Sequence, residues 1–315
     1  MKTISVIVPC YNEEGNVEPM CEAICSLFEG ELKDYQYELI FIDNHSTDGT
    51  REILRKLCDS RENVRAILNV RNFGAFNSPV YGMLQTKGDC TVLLACDFQE
   101  PVELIPEFIR EWEQGATVVA GVRKGSRQNK LMYGIRSLYY RLIRAGTDLD
   151  TIDHFTGFGL YDRKFLEILR QIDDPIPFLR GMVAEFGGNV SKVYYDQPKR
   201  ASGKTHHSFA GLYDAAMISF TSYTSMGLRT VTFLGFLTSI VSFIIGVAYL
   251  IQKLIHWHTF NAGMAPVLIG LFFLGSIVLI ALGLMGEYII SINRRVMNRP
   301  LVVEEERIGF EEERS

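Results

Sequence analysis

With 315 residues, 47% of them hydrophobic, and a mean hydropathy of +0.08, the chain exceeds one average domain and is too apolar for a wholly soluble protein. Its 32 Lys and Arg against 37 Asp and Glu leave a net charge of -5, which speaks against a nucleic-acid partner. Six cysteines without CxxC pairs or nearby metal-spaced histidines read as reduced thiols, with Cys21 and Cys25 sharing one helix face as packing residues.

The opening run TISVIVP is too short for a signal-peptide core with its cleavage site and predicts a first strand, followed by a helix after Asn12. YELIFID predicts a second strand, with a helix after Ser46 that Ser46 or Thr47 caps and Asp48 supports in its first turn. VRAILNV with a helix from about Gly74, then TVLLACD with a helix from about Pro101, repeat the pattern. Near-continuous Val, Ile and Leu strands alternating with helices predict an α/β fold whose parallel sheet is covered on both faces. Such sheets bind ligands outside the carboxyl ends of their strands. PCYNE, DNHS, RNFG and DFQ all fall there, so four polar loops converge on one rim.

The loop Ala95-Cys96-Asp97-Phe98-Gln99-Glu100-Pro101 carries the most chemistry. An Asp ending a buried strand, with an amide two residues on, suits one divalent cation on a nucleotide diphosphate, because hard cations prefer oxygen ligands. Asp43, ending the second strand, is placed to accept hydrogen bonds from a nucleobase N–H or a ribose hydroxyl, although the STDGT that follows is also a good helix N-cap sequence.

Beyond Val122 the order is less regular, with an Arg-rich helix over 133–144, a TGFGLYDR segment and the basic stretch KRASGKT. Phe209, Leu212, Tyr213, Ala216, Met217 and Phe220 then recur at helical spacing and predict an amphipathic helix, lying on a membrane surface or packed on the globular part. Residues 230–251 and 264–286 carry no charge, and each is long enough for the roughly 30 Å hydrocarbon layer, which takes about 20 helical residues. Arg229 precedes the first run and Arg294, Arg295 and Arg299 follow the second, whereas the connecting loop has Lys253 beside His256 and His258, so both ends are expected on the cytoplasmic side. The acidic tail over 304–314 reads as a solvated end.

IVPCYNEE, FIDNHSTDGT, RNFG, CDFQEP, AGVR, TGFGLY, FLRG and RASGKT together resemble the motifs of glycosyltransferase family 2. The chain is most similar to the polyprenyl-phosphate branch, which includes dolichol-phosphate mannosyltransferases and bactoprenol glucosyltransferases. The likeness continues through both apolar runs to MGEYII and Arg299-Pro300 and so covers nearly the whole chain. It implies an A-type glycosyltransferase fold, a Rossmann-like, mostly parallel sheet with helices on both faces. The implied domains are a cytoplasmic nucleotide-sugar domain over 1–205, a juxtamembrane helix over 206–229, a two-helix transmembrane hairpin over 230–293 and a cytoplasmic tail over 294–315.

The same resemblance implies that Pro9, Tyr11, Glu13, Asp43, Asn44 and Cys96 form the nucleotide site and that Asp97 and Gln99 hold Mg2+ or Mn2+ on the diphosphate. It assigns catalysis to Asp97, Arg123 and Arg200, and phosphate or acceptor contacts to Arg136, Arg200 and Lys204. The family commonly has acids where Asn44 and Ala95 stand here, and Glu185, Asp153 and His154 are candidates for sugar contacts. The expected activity is inverting transfer of a hexose, foremost glucose from UDP-glucose, to undecaprenyl or a similar polyprenyl phosphate at the cytoplasmic leaflet of the inner membrane. Such an acceptor is already anionic and requires no obligatory general base. Assembly into homo-oligomers through the membrane part is a further implication of the family. A processive polysaccharide synthase is the weaker enzymatic alternative, since neither Trp112 nor Trp257 follows an Arg. A nucleotide-sugar-binding membrane scaffold without turnover is the alternative that Asn44 and Ala95 motivate.

Overall fold

Successive residues of β1 (Thr3–Cys10) enter opposite faces of a sheet, as the two-residue period of a strand requires. Ile4, Val6 and Val8 join one buried cluster and Ile7 joins the other. The first cluster is closed by α1 (Val17–Glu29) through Val17, Met20 and Ile24, α2 (Thr50–Ser60) through Leu54 and α4 (Ile105–Glu113) through Phe108. The second is closed by α3 (Gly74–Leu84) through Val80 and Met83, α5 (Arg163–Ile172) through Phe165 and Leu169, and α6 (Leu179–Phe186) through Met182. Helices on both faces explain the near-continuous apolar strands. This computed structural model describes residues 1–124, 152–172, 174–198, 217, 226–255 and 264–310.

β2 (Gln36–Asp43) and β3 (Val64–Asn69) extend the sheet in parallel on one side of β1, and β4 (Cys90–Leu93) lies parallel on the other. With β5 (Val118–Arg123), β6 (Phe155–Asp162), β7 (Val190–Tyr195) and β8 (Glu304–Ile308), the order is β7-β5-β6-β4-β1-β2-β3-β8. β6 is antiparallel to both β4 and β5, and β5 is parallel to β7. The carboxyl ends of β1 to β5 and of β7 therefore share one edge of the sheet with the start of β6. The chain builds β2 and β3 outward from one side of β1 and returns to β4 on the other, so the β1–β4 gap is the topological switch point where such sheets bind ligands.

β4 ends at Leu93, so Leu94 to Asp97 belong to the loop, although Leu94 and Cys96 are buried. α2 starts at Thr50 with Gly49 at its cap, so neither Ser46 nor Thr47 caps it. The acidic tail is not a solvated end over its described part, because Glu304–Ile308 form β8, antiparallel to β3. An uncovered β3 would expose a row of unpaired backbone groups, and the strand that covers it finds side-chain partners as well. Tyr81 donates to Glu304 at 2.8 Å, Arg51 is 2.9 Å from Glu305, and Arg55 is 2.6 Å from Glu306.

The sheet, with the residues from 297 onward, forms one compact unit, and the two long helices belong to another. α7 (Met226–Ile255) and α8 (Met264–Val296) are long and apolar enough to cross a membrane, in the stretches Thr230–Ala248 and Phe273–Val296 with mean hydropathy of 2.2 and 2.1. Large side chains such as Phe236, Phe243 and Leu279 stay exposed on them. α8 runs past the uncharged stretch ending at residue 286 to Val296, since Arg294 and Arg295 in its last turn suit the negative end of the helix dipole. The Arg-rich helix over 133–144, the amphipathic helix apart from Met217, and Arg136, Arg200 and Lys204 lie outside the described residues.

Two carboxyls of β8 are held below the ordinary carboxylate range. For Glu304, burial pushes upward but the bonds from Arg307 and Tyr81 outweigh it, and for Glu305 the bond from Arg51 is the main cause. A depressed folded pKa contributes stability that is present above the ordinary value of 4.5 and is lost as pH falls through the folded value. Hydrogen exchange of residues 301–310, corrected for its intrinsic rate, is therefore expected to accelerate as pH falls from about 5 to below about 4, while β1 stays protected.

Candidate functional site

The loops after β1 and β2 are stitched to each other. Asn12 N–H donates to Ser46 Oγ and Asn12 Oδ1 accepts from Thr47 N–H, both at 2.8 Å. Glu13 N–H donates to Thr50 Oγ1 at 2.9 Å, and Glu14 Oε2 accepts from Gly49 N–H at 2.9 Å. The buried Glu13 carboxylate accepts from Asn16 Nδ2 at 2.5 Å. The Ser46 hydroxyl and Thr47 N–H are thus engaged with the neighbouring loop rather than with the start of α2. Asp43 has no exposed side-chain surface, and its carboxylate accepts from Ser46 N–H at 3.0 Å and from Arg51 Nε at 2.7 Å. Burial, with Asp43 adding to it, pushes the Cys10 thiol well up, so this cysteine stays neutral beside the rim.

Asn44 ties down the next loop. Its Nδ2 donates to Asn72 Oδ1 at 3.0 Å and to the Gly74 carbonyl at 3.2 Å, while its Oδ1 accepts from Phe73 N–H at 2.8 Å and Asn69 Nδ2 at 3.3 Å. Gly74 sits at φ +89, where a side chain would be strained, and its N–H closes the turn onto Asn72 Oδ1 at 2.8 Å. An acid at position 44 has no N–H to donate to Asn72 or Gly74. The amide found here is the group that this arrangement uses in full.

At the switch point, Asp97 is half-buried and its Oδ1 accepts from Gln99 N–H at 3.2 Å. Glu100 closes the same loop from below. Its Oε2 accepts from Ala95 N–H at 2.7 Å and its Oε1 from Thr156 Oγ1 at 3.1 Å, which pins the loop to the start of β6. Burial pushes the Glu100 carboxyl up to about 7, against the opposing pull of the Ala95 bond, the Arg123 charge and the Thr156 hydroxyl. Arg123, half-buried at the end of β5, donates through Nε to the Tyr195 hydroxyl at 3.2 Å at the end of β7. Arg123, Thr156, Glu100 and the metal-type loop are thereby linked along one edge.

Backbone geometry marks the same edge. Asn12, His45, Phe98 and His154 take positive φ values of 55, 69, 57 and 61, one in each of the segments flanking β1, β2, β4 and β6. Such conformations are uncommon outside glycine, and for a bulky residue such as Phe they persist only where the surroundings hold them. Phe98 is held by packing its ring against the core.

Of the residues expected in the site, Pro9, Tyr11, Glu13, Asp43, Asn44, Cys96, Asp97, Gln99 and Arg123 all lie at this edge. Glu185 is exposed on α6, whereas Asp153 and His154 immediately precede β6. The sequence reading omits Asn12, Glu14, Arg51, Glu100, Thr156 and Tyr195, which hold the loops in place. Motif membership signals Asn12, Glu14, Glu100 and Thr156 in the sequence, whereas Arg51 and Tyr195 fall outside the motifs. Among the described residues no group of three or more His, Cys, Asp and Glu is arranged to cage a metal ion. Asp97 and Gln99, both half-buried in the loop after β4, are oxygen donors of the kind that would suit a hard divalent cation, since Mg2+ needs only one or two carboxylates. The Ala95 side chain offers no ligand, and Glu100 is bonded to Ala95 N–H and Thr156.

A family model described as Glycosyl transferase family 2 matches residues 5–170. The chain is 30% identical to the SfII prophage-derived bactoprenol glucosyl transferase of Shigella flexneri, over 94% of this chain and 96% of that one. It is 31% identical to the uncharacterized glycosyltransferase YkcC of Bacillus subtilis (strain 168), over 98% of this chain and 95% of that one. Among solved structures, glucosyl-3-phosphoglycerate synthase from Mycobacterium tuberculosis in complex with Mn2+, uridine diphosphate and glucosyl-3-phosphoglycerate aligns with a TM-score of 0.47 at 19% identity, over 70% of this chain and 78% of that one.

Two substitutions test the roles given to amides and carboxyls at this edge. Asn44→Asp is expected to cost about 1–3 kcal/mol locally, by removing two donated bonds and leaving their acceptors facing a carboxylate. Faster hydrogen exchange over residues 70–76, with β1 unchanged, is the readout. A carboxyl with a raised folded pKa destabilises the fold progressively as pH rises from its ordinary 4.5 to about 7, and the effect is level above that. Glu100→Gln is therefore expected to raise the melting temperature in EDTA more at about pH 8 than at about pH 5.

Proposed function

The chain belongs to glycosyl transferase family 2, and on that premise we propose that it transfers a hexose, with glucose from UDP-glucose as the first choice, to undecaprenyl phosphate or a similar polyprenyl phosphate. The observation that carries the reading is the Asp97–Gln99 loop at the β1–β4 switch point, in a chain that is similar over 94% of its length to a bactoprenol glucosyl transferase. The two long apolar helices suit an acceptor that resides in a lipid bilayer. In this reading they span the inner membrane, with the sheet unit and both termini on the cytoplasmic side and assembly into homo-oligomers through the membrane part.

The nucleoside end of the donor is assigned to the edge formed by Pro9, Tyr11 and Cys96. Glu13, Asp43 and Asn44 are buried, and their side chains accept from Asn16 Nδ2, Ser46 N–H and Phe73 N–H respectively, which gives that edge its shape. Asp97 and Gln99 would hold Mg2+ or Mn2+, which when bound stabilises negative charge on the diphosphate. Arg123, steadied by the Tyr195 hydroxyl, takes part of the same charge through hydrogen bonds to phosphate, and Arg200 is assigned the same task. Arg136 and Lys204 are assigned to the acceptor phosphate.

A polyprenyl phosphate brings its own charge, so capture and alignment matter more than deprotonation. One of its oxygens forms a bond to the anomeric carbon as the bond from that carbon to the diphosphate breaks, and the bonding pair leaves on the nucleoside diphosphate. Attack from the opposite side inverts the configuration. Holding both reactants at one surface supplies much of the barrier reduction that such a reaction needs. A nucleotide-sugar-binding scaffold without turnover is the second reading, favoured by Asn44 and Ala95 at positions where the family commonly has acids.

Full-length protein in lipid nanodiscs containing polyprenyl phosphate is expected to convert labelled UDP-glucose with Mg2+ or Mn2+ into a lipid-linked sugar. Asp97→Ala should lower turnover by about 100-fold or more, about 2.7 kcal/mol, with an unchanged melting temperature. Absence of any lipid-linked product across UDP-, GDP- and other nucleotide sugars sinks the enzymatic reading. Nucleotide-sugar binding in that same experiment would favour the scaffold.

A further inference from the structure

Arg51 is shared among three strands. Its Nε donates to Asp43 Oδ2 at 2.7 Å at the end of β2, its Nη2 to the Asn69 carbonyl at 2.6 Å at the end of β3, and its Nη1 to Glu305 Oε2 at 2.9 Å on β8. A guanidinium is planar, so bonds in three directions fix both its position and its plane. The Asp43 side chain has no exposed surface, Arg51 is 15% exposed and Glu305 49%. Asp43 in turn accepts Ser46 N–H, which shapes the turn where His45 takes φ 69, and Ser46 Oγ accepts Asn12 N–H. A continuous bonded path thus runs from Glu305 through Arg51, Asp43 and Ser46 to the loop after β1.

We propose that Arg51 is a positioning residue for the nucleoside end of the donor, and that the C-terminal strand β8 keeps it in place through Glu305. The inference rests on the reading of the β1 and β2 ends as the donor's nucleoside site. A buried carboxylate at Asp43 needs a cationic partner, and without Arg51 the Ser46 N–H alone faces it among the bonds described above. The turn then relaxes toward whatever geometry hydrates the carboxylate, and the edge that receives the nucleoside changes shape. Glu305 determines how Arg51 divides its bonds. With Glu305 neutral, the guanidinium keeps Asp43 but loses the charged partner that holds its far side.

Strand anchoring alone is the competing explanation, and the structure contains its control. Arg55 pairs with Glu306 on the same strand, Nη2 to Oε2 at 2.6 Å, and none of its hydrogen bonds described here goes to Asp43. If β8 acts only as a cover for β3, loss of either pair has the same effect on the donor site. If Arg51 positions that site, only the Asp43-linked pair matters.

The test uses full-length protein in nanodiscs and calorimetric titration with UDP and with GDP, which reads donor binding without requiring turnover. Arg51→Lys is expected to weaken binding of the preferred diphosphate about 10-fold or more, and Glu305→Gln about 2- to 5-fold. Arg55→Lys and Glu306→Gln should stay within about 2-fold of the parent. Where turnover is measurable, KM for the nucleotide sugar rises in the first pair while kcat holds. Parent protein that binds neither diphosphate overturns the donor-site reading and this inference with it. Parent binding that Arg51→Lys and Glu305→Gln leave intact overturns the positioning role alone, as does equal weakening by the Arg55 and Glu306 variants. Should Arg51→Lys fail to fold, Glu305→Gln at its half-exposed position decides the matter by the same titration.

Discussion

Burial of both faces of β1 is the constraint from which the rest follows. Ile4, Val6 and Val8 on one side and Ile7 on the other are sealed from water, and the flanking β2 and β4 are buried in the same way. A sheet closed on both faces offers polar chemistry a place only beyond its strand ends. Pro9, Asp43, Asn69 and Asp97 therefore fall along one edge without any sequence proximity among them. The site's location is a consequence of where water is excluded, and its chemistry is left to the loops.

Those loops are rigid because their polar residues are used on each other. Asn12, Glu14, Ser46 and Thr50 bond between the ends of β1 and β2, Asn44 grips the turn after β3, and Glu100 braces the loop after β4 against Thr156. Buried or half-buried polar groups require such partners in any case. Here the requirement also fixes the left-handed turns at Asn12, His45 and Phe98, which isolated peptides would avoid. Preorganisation of this kind lets a ligand bind without first ordering its site.

Which parts were legible in the sequence depends on how far away the deciding partner lies. The strand–helix repeats are legible because two-sided burial writes continuous apolar runs. The end of β4 is misplaced because Leu94 and Cys96 are buried in a loop and so look like strand residues. The start of α2 is misplaced because the Ser46 hydroxyl is engaged by the backbone of Asn12, a residue 34 positions away. β8 is hidden because a run of glutamates reads as solvated until Arg51 and Arg55, separated from their partners by 254 and 251 positions, are brought beside it. Asn44 looks like a departure from an acidic motif, yet its two amide donors are what the Asn72 and Gly74 acceptors need. The loop motifs correctly mark the edge, but a motif alone does not separate residues that face a ligand from residues that face one another.

The charged character of β8 has a further effect on the fate of the sheet. Once β3 is covered, β8 becomes the outermost strand, and its outward positions Glu305 and Arg307 are exposed. Dense charge on a short terminal strand discourages another chain from docking there and continuing the ladder. The same five residues therefore finish the sheet and keep it from growing. A chain cut before residue 304 would lose both properties at once, presenting the Val64, Ala66 and Leu68 strand as a template for aggregation.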